Sequence, residues 1–584
     1  MSVHDQAAEG RGQNFFHLDR SLQRLLARRL QPDQWRRAVP LLERMGELAG
    51  GEIDRQAEYT DRHARPILAT YDRQGEVVNA VVYNPLYEES VRQVYELGTV
   101  GCAYGPDPLP HSVHFALLYL LCQSDPGLGC PVTLTAATAF VLDRHGSSEQ
   151  KTRYLPGLTV RGPGPFFDGA TWVTEKPGGS DAGAAETSAA PAPEEGARLF
   201  RLSGEKWFAS NADADLALAT ARPIGAPPGT RGLGLYLLRR QLEDGQLNRY
   251  RIRRLKDKLG TTGLATGEIE LDGALAEEVT PPPTGFAHML EALEYSRVAN
   301  AVASAGIHRR CLLEASIYAA GRTAFGSALD RYPMVQEMVL TMLAELEGSL
   351  LLGFEAAAAL DQVAFYGHAE ETASQRLFTA LAKYRTGEDA VRNASRAIEI
   401  LGGNGYVEDY VTARMYREAQ VLPVWEGPAN IQALEVLRLL GGRHQAERAW
   451  LARIGEAAET AEASAVSQDV GQHLAAEAAA LDQALGWLER NPDQGPRHGR
   501  RLIDWMADLT EVALLLERAE GELSQGDHRS LILAWWLVAK GGSALERRGL
   551  GADLTWLSAL YRPLTAGDAV EGCALPKIAS EVHA

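Results

Sequence analysis

At 584 residues the chain is too long for one hydrophobic core, and about two to four packed units are expected. Hydrophobic residues at 45%, charged residues at 23% and aromatics at 7% are ordinary globular composition and exclude a disordered chain. Fifty-eight Lys+Arg against 76 Asp+Glu leave a net charge of −18, which opposes non-specific attraction to nucleic acid or anionic lipid.

The opening residues, MSVHDQAAEGRGQNFF, lack the basic start and apolar run of a signal peptide, and the late apolar stretch Leu531 to Ala539 is too short to span a bilayer. A cytoplasmic protein without a membrane span is expected. From about Arg20 to Tyr154 apolar residues recur at three and four, as in Ser21-Leu22-Gln23-Arg24-Leu25-Leu26, which predicts packed amphipathic helices. Between about Gly164 and Val279 the period changes to short runs such as Thr171-Trp172-Val173-Thr174 and Glu268-Ile269-Glu270-Leu271, separated by Gly, Pro, Asp and Asn. That pattern predicts a small antiparallel β domain.

Pro281-Pro282-Pro283 closes that unit, and helical patterns return from Phe286 to about Leu440 as a bundle. After Gly441-Gly442 a last helical stretch is broken near Asn491-Pro492 and Gly541-Gly542. The expected class is α+β, mostly α, with a helical N-terminal domain (1–163), a β domain (164–280), a helical bundle (281–440) and an appended helical domain (441–584). No 20–50 residue period repeats, so a solenoid is not expected.

Cys102, Cys122, Cys130, Cys311 and Cys573 lie far apart without CxxC or neighbouring His, so neither a zinc site nor a disulfide framework is predicted. There is no GxxxxGK[ST], and Gly232-Leu233-Gly234 runs into strand-like residues, which disfavours P-loop and Rossmann enzymes. Two segments stand out. Thr174-Glu175-Lys176-Pro177-Gly178-Gly179-Ser180-Asp181 ends a strand in a Gly-rich loop that can hold a flavin edge or a phosphate, or can be a plain tight turn. Val424-Trp425-Glu426-Gly427-Pro428-Ala429-Asn430-Ile431 sets a carboxylate beside an aromatic face at a flexible corner, a setting for a general base.

With Leu401-Gly402-Gly403-Asn404-Gly405-Tyr406, Lys206-Trp207-Phe208, Arg322-Thr323-Ala324-Phe325-Gly326 and Lys256-Asp257-Lys258-Leu259-Gly260, these segments resemble the acyl-CoA dehydrogenase family, in register over about residues 60–440. The wording of the two longer segments and the C-terminal extension are most similar to its AidB-type alkylation-response branch. The resemblance implies a C-terminal four-helix bundle, FAD held at a subunit interface, and a homotetramer built as a dimer of dimers.

It further implies that Val173 and Thr174 meet the flavin ring and that Trp207, with Phe208, Ala209 and Ser210, lies along it. Arg322 and Phe325 reach a FAD bound by a neighbouring subunit, where a guanidinium fork suits pyrophosphate oxygens. Gly402 and Gly403 admit the ADP portion, Trp425 and Asn430 contact the cofactor, and Ser180 and Arg297 serve the substrate. The plainer roles beside these are core packing for Trp207, a solvated helix cation for Arg322, and caps for the glycines and Asn430.

Glu426 matches the family's main catalytic base, which takes the α-proton of an acyl-CoA while FAD accepts the β-hydrogen as hydride. Ser296 stands where some members carry the base instead, in Leu293-Glu294-Tyr295-Ser296-Arg297. The pattern is departed from at Ala209, Glu399 and Pro428, where the main group has Thr, Gln and Thr. The expected activity is a FAD-dependent acyl-CoA dehydrogenase of fatty acid metabolism, passing electrons to an electron-transferring flavoprotein. The alternative is a DNA-associated flavoprotein of the alkylation response. The stretch 441–584 carries 14 Lys+Arg and 21 Asp+Glu, a net −7 that disfavours DNA, although Arg497, Arg500, Arg501, Arg547 and Arg548 could form a patch.

Overall fold

The structure is a computed structural model and describes residues 9–196, 198–440, 444–539 and 555–570. The chain opens with α1 (Phe15–Leu18), α2 (Arg20–Arg29), α3 (Pro32–Leu48) and α4 (Asp54–His63), then the hairpin β1 (Ile67–Tyr71) and β2 (Val77–Val82). Next come α5 (Pro85–Glu96), α6 (His111–Leu121), α7 (Pro126–His145) and α8 (Ser148–Leu158). The strands β3 (Gly169–Trp172), β4 (Ser188–Pro191), β5 (Leu199–Ser210), β6 (Leu216–Pro223), β7 (Gly234–Arg239), β8 (Tyr250–Leu255) and β9 (Thr266–Thr280) follow. Then come α9 (Gly285–Gly321), the short hairpin β10 (Thr323–Ala324) and β11 (Ser327–Ala328), α10 (Pro333–Ala364), α11 (Thr372–Leu401), α12 (Gly403–Tyr406), α13 (Val411–Ala419) and α14 (Ala429–Leu439). The chain continues with α15 (Ala446–Glu462), α16 (Gln468–Arg490), α17 (Gly495–Leu523), α18 (Arg529–Ala539) and α19 (Thr555–Ala566). Gly441-Gly442 and Gly541-Gly542, two of the expected breaks, lie outside the described residues.

Two compact units result: Arg36–Ala299, and the described parts of Met1–Trp35 with Asn300–Ala584. In the first, local signals set the helix ends. Asn84 caps α5 by accepting from the Leu86 and Tyr87 N–H groups, with Pro85 at the first helical position. Ser147 and Gln150 form a capping box on α8. The hairpin β1–β2 corrects the helical reading of residues 20–154. Its β-branched run Val77-Val78-Asn79-Ala80-Val81-Val82 suits a strand, and a turn closed by the Gly75 N–H on the Asp72 carbonyl at 3.1 Å precedes it. Asn79 joins it to β8 like a backbone pair, donating to the Ile252 carbonyl and accepting from the Ile252 N–H, both at 2.8 Å.

The sheet runs β3-β6-β4-β5-β9-β7, with β8 on β9, and a further β6–β7 pairing closes β4, β5, β9, β7 and β6 into a ring. Pairing is mostly antiparallel, as the alternating runs predict. The β3–β6 and β4–β6 pairs are parallel, which depends on long connections that local pattern does not encode. Trp172, Leu202, Tyr236, Ile252, Ile269 and Leu271 fill its core with a layer of alanines. β3 starts at Gly169 because α7 lies directly over it. A Cβ there would stand 2.8 Å from Thr138 Oγ1 and 3.0 Å from Thr135 Cα.

In the second unit α10, α11, α13 and α14 pack together, and α17 lies against α10, α11 and α14. Buried carboxylates of α10 take arginines from both ends of the chain. Glu355 accepts from Arg29 at 2.6 Å and Arg453 at 2.5 Å; burial opposes its charge, but the two guanidiniums outweigh this and hold its pKa at about 2. Glu347 accepts from Arg518 and Arg529 at 2.8 Å each and from the Ser21 hydroxyl at 2.5 Å. Among the described residues no helix is long and apolar enough to cross a membrane.

Candidate active site

Val173 and Thr174 leave β3 at the edge of the sheet, and the Trp207 N–H on β5 donates to the Thr174 carbonyl at 2.9 Å. The structure therefore brings these three predicted residues together. The loop after them is fastened from below. Lys206 Nζ lies 2.6 Å from Glu175 Oε1 and donates to the Thr220 carbonyl at 2.8 Å. Glu175 also accepts from the Thr187 hydroxyl at 2.6 Å and from the Glu186 and Thr187 N–H groups at 2.7 and 3.1 Å. Burial works against the charge on Glu175, but Lys206 outweighs it and holds the carboxyl below its ordinary value.

Register explains why Trp207 and Phe208 both leave the core. Lys206 pairs with Ile269 and Ala209 with Gly267, so β5 spends three steps where β9 spends two. This bulge interrupts the alternation: Lys206 and Ala209 are buried, while Trp207 is half-buried and Phe208 is 57% exposed. Two ammonium groups stand over the indole, Lys256 at 3.4 Å and Lys176 at 4.5 Å from the ring centroid, and Lys256 is also held by Glu268 at 2.6 Å. Trp207 is thus a surface platform and not simple core. Ser210 Oγ lies 3.4 Å from Thr266 Oγ1, and Ser180 is exposed on the loop.

In the other unit Glu426 sits on the turn between α13 and α14. Its φ is +57°, followed by Gly427 at +91°, so a side-chain-bearing residue occupies the left-handed region that usually selects Gly or Asn. The surroundings enforce it. Asn300 on α9 donates to the Leu422 carbonyl at 3.0 Å and accepts from the Trp425 indole at 3.1 Å. Gln432 on α14 donates to the Glu426 and Gly427 carbonyls at 3.1 and 2.9 Å. A Cβ on Gly427 would meet Gln432 Nε2 at 2.9 Å, so the turn and its clamp fix each other. Glu426 is half-buried, and Asn430 lies exposed on the first turn of α14.

Arg322 follows α9, its N–H donating to the Tyr318 carbonyl at 2.8 Å, and begins the β10–β11 hairpin with Phe325 at its tip. Arg322 is therefore a hairpin residue, not a mid-helix cation. Phe325 is 99% exposed at φ +50°, and the Tyr332 hydroxyl holds its carbonyl and that of Ala324 at 3.1 and 2.6 Å. Gly402 and Gly403 lie at the same end of this unit, since Asn404 donates to the Tyr318 hydroxyl at 3.1 Å. No atom stands within 4 Å of a Cβ built on either glycine, and Gly402 has φ +62°. Glu399 is exposed beside them and Pro428 caps α14.

Arg297 is bound to Glu294 one turn away on α9, with 11% of its side chain exposed, and Ser296 is buried. Sequence reasoning missed the clamps Asn300 and Gln432 and the partner roles of Glu175, Lys206 and Lys256. A signal existed, since Asn300 is the polar residue within Val298-Ala299-Asn300-Ala301-Val302 and Gln432 interrupts an apolar helix start. Of the basic residues proposed as a patch, Arg497, Arg500 and Arg501 are exposed on α17, with Arg500 3.4 Å from Glu388, while Arg547 and Arg548 lie outside the described residues.

Comparison with known proteins matches residues 5–162 to the adaptive response protein AidB N-terminal domain. Residues 170–274 match the acyl-CoA dehydrogenase middle domain and 284–441 its C-terminal domain. Acyl-CoA dehydrogenase family member 11 of Caenorhabditis elegans is 35% identical over 441 residues, 73% of this chain and 70% of its own. AidB of Escherichia coli (strain K12) is 33% identical over 389 residues, 64% of this chain and 69% of its own. The crystal structure of C. elegans ACDH-11 in complex with C11-CoA superposes with TM-score 0.83 at 30% identity, covering 91% of each chain.

Proposed function

The chain belongs to the acyl-CoA dehydrogenase family and is an oxidoreductase, and from that premise we propose that it oxidises an acyl-CoA thioester between Cα and Cβ to the trans-2-enoyl-CoA, with FAD as resident oxidant. The C11-CoA held by the C. elegans relative supports acyl-CoA as the substrate class.

The residues present fit FAD. The Thr174 hydroxyl and the Trp207 indole N–H make no hydrogen bond among the described residues and are donors suited to a flavin edge. The open faces of Gly402 and Gly403 leave room for a ligand at the end of the unit that also carries Arg322. Val173, Thr174, Trp207 and Ser210 would hold the ring, with Phe208 and Ala209 flanking. Trp425 and Asn430 would contact the cofactor, and Arg322 and Phe325 would serve a FAD bound by a second copy in a homotetramer. Bound there, FAD supplies the two-electron acceptor for the β-hydrogen as hydride.

Glu426 performs the proton transfer. Its carboxylate accepts the α-proton, the Cα–H electron pair moves into the new Cα=Cβ bond, and the β-hydrogen departs with its own pair, so the product is two hydrogens poorer. Asn300 and Gln432 keep the backbone of the base from relaxing, which preserves its reach without reorganisation at the moment of reaction. Ser180 and Arg297 serve the thioester and pantetheine side. An electron-transferring flavoprotein reoxidises the enzyme in the cytoplasm.

The observation that carries this reading is Glu426 held at φ +57° by clamps on both sides, strain retained at a residue whose chemistry can use it. The test is Glu426→Gln, assayed with a panel of acyl-CoAs and an artificial electron acceptor. Flavin content should stay at the parent level while turnover falls by orders of magnitude. Near-parental turnover would move the base elsewhere, and a parent that takes up no FAD would overturn the cofactor assignment.

A further inference from the structure

Within the Arg36–Ala299 unit, three side chains that the proposed chemistry does not use converge: His145, His288 and Glu291. His145 is the last residue of α7, while His288 and Glu291 lie one turn apart at the start of α9. Each offers one ligand atom, and these atoms all lie within 4.8 Å of one another. His145 Nε2 is 3.0 Å from Glu291 Oε2, and the two imidazoles lie flat on each other with centroids 3.6 Å apart and planes 5° from parallel. All three groups are half-buried, so an ion has access and the side chains are still held by their surroundings.

An ordinary ion pair would need only one of these histidines. Arg144 Nε already pairs with Glu291 Oε2 at 2.9 Å. His288 is held from behind by the Thr280 hydroxyl, 3.1 Å from Nδ1, which leaves its Nε2 as the ligating nitrogen. This is the outer-shell arrangement that orients metal-bound imidazoles. Two imidazoles and a carboxylate are the donors a borderline divalent ion prefers, with a fourth position left to water. The carbonyl end of α7 adds a favourable field for a cation.

We propose that His145, His288 and Glu291 form a site for one divalent transition-metal ion of the zinc type, which staples the end of α7 to the start of α9. The stacked rings present their lone pairs side by side, so one ring turns about its χ2 on metal entry, which half-burial permits. Arg144 is the competitor. Its guanidinium must yield its place on Glu291, and it is the cation that limits affinity.

The test uses the untagged full-length protein, stripped with EDTA and titrated with zinc sulfate by calorimetry, with melting followed in parallel. The parent should bind one ion per chain in about the micromolar range and melt higher with zinc than with EDTA. His288→Ala and Glu291→Gln should each lose at least tenfold in affinity at that stoichiometry, whereas Arg144→Gln should bind several-fold tighter. If His288→Ala does not fold, His145→Gln replaces it with the same expectation. Absence of saturable one-to-one binding by the parent, equal affinity in the ligand variants, or weaker binding by Arg144→Gln would overturn the proposal.

Discussion

Glu175 and Lys206 form a buried ion pair at 2.6 Å, their side chains 1% and 0% exposed, and it fastens the loop after Thr174 to the strand that presents Trp207. Removing one partner leaves a bare charge in the sheet. Lys206→Met should cost about 3–5 kcal/mol in denaturant unfolding, and Lys206→Met with Glu175→Gln should recover a large part of that. If the double variant were no more stable than the single one, the pair would not be the source of the loss.

Glu426 occupies a backbone region where glycine is at ease. Glu426→Gly should abolish turnover and yet raise unfolding stability, by about 0.5–1 kcal/mol, because the strain disappears with the side chain. Thermal melts beside the acyl-CoA assay check both halves. A destabilised variant would mean that contacts of the carboxylate outweigh the strain.

The clamp is separable from the base. Gln432→Ala should lower kcat about tenfold or more with KM for acyl-CoA nearly unchanged and flavin retained, since it loosens the Glu426 and Gly427 carbonyls without touching the carboxylate. A change confined to KM would assign Gln432 to binding instead.

Asp213 gives a pH dependence. Burial, reinforced by the nearby Asp168 charge, raises its carboxyl to about 6, while the Tyr83 hydroxyl donates to it at 2.9 Å. Its folded value lies above the unfolded one, so its contribution is full below the ordinary carboxylate range and is lost as pH rises through about 6. Asp213→Asn, which keeps an acceptor for Tyr83, should therefore stabilise at pH 8 by on the order of 1–2 kcal/mol and by clearly less at pH 4.5, where part of the charge penalty is already absent. Melting curves at the two pH values decide it, and an equal shift at both would reject the charge argument.

DNA affinity follows from charge. With −18 on the chain, binding to a duplex should appear only at low ionic strength and vanish near physiological salt. A labelled duplex titrated at two salt concentrations, with Arg500→Glu beside the parent, reads this directly. Tight parental binding at physiological salt that the charge reversal removes would favour the alkylation-response reading.

Much of this was legible along the chain. The change of period near Gly164, the Gly-rich loop and the Val424–Ile431 segment are local signals, and the strands and the Glu426 turn stand where they point. The hairpin β1–β2 was hidden inside a helical neighbourhood, although its valines carried the signal. The Glu175–Lys206 pair, the β5 bulge and the Asn300 and Gln432 clamps depend on which strand or helix lies opposite, across separations that no window spans. The motif points to Phe325, but its complete exposure is a property of the hairpin.

The arginine clamps on α10 also bear on the order in which the chain can be built. Arg29 and Ser21, which precede the Arg36–Ala299 unit, find their partners on Glu355 and Glu347, and the same carboxylates take Arg453, Arg518 and Arg529 from the helices after Gly441. Arg24 likewise reaches Asp527 at 3.5 Å and the Gly567 carbonyl at 3.2 Å. On a ribosome the stretch from Arg36 to Ala299 can complete its own contacts while synthesis continues, but Arg29 and Ser21 find no partner until α10 has been made, and Arg24 none until Asp527 and Gly567 follow. Cutting the chain at the start of the extension would leave Glu347 buried without either of its arginines and Glu355 with Arg29 alone. The bundle and the extension therefore belong to one compact unit, joined through charges buried on α10.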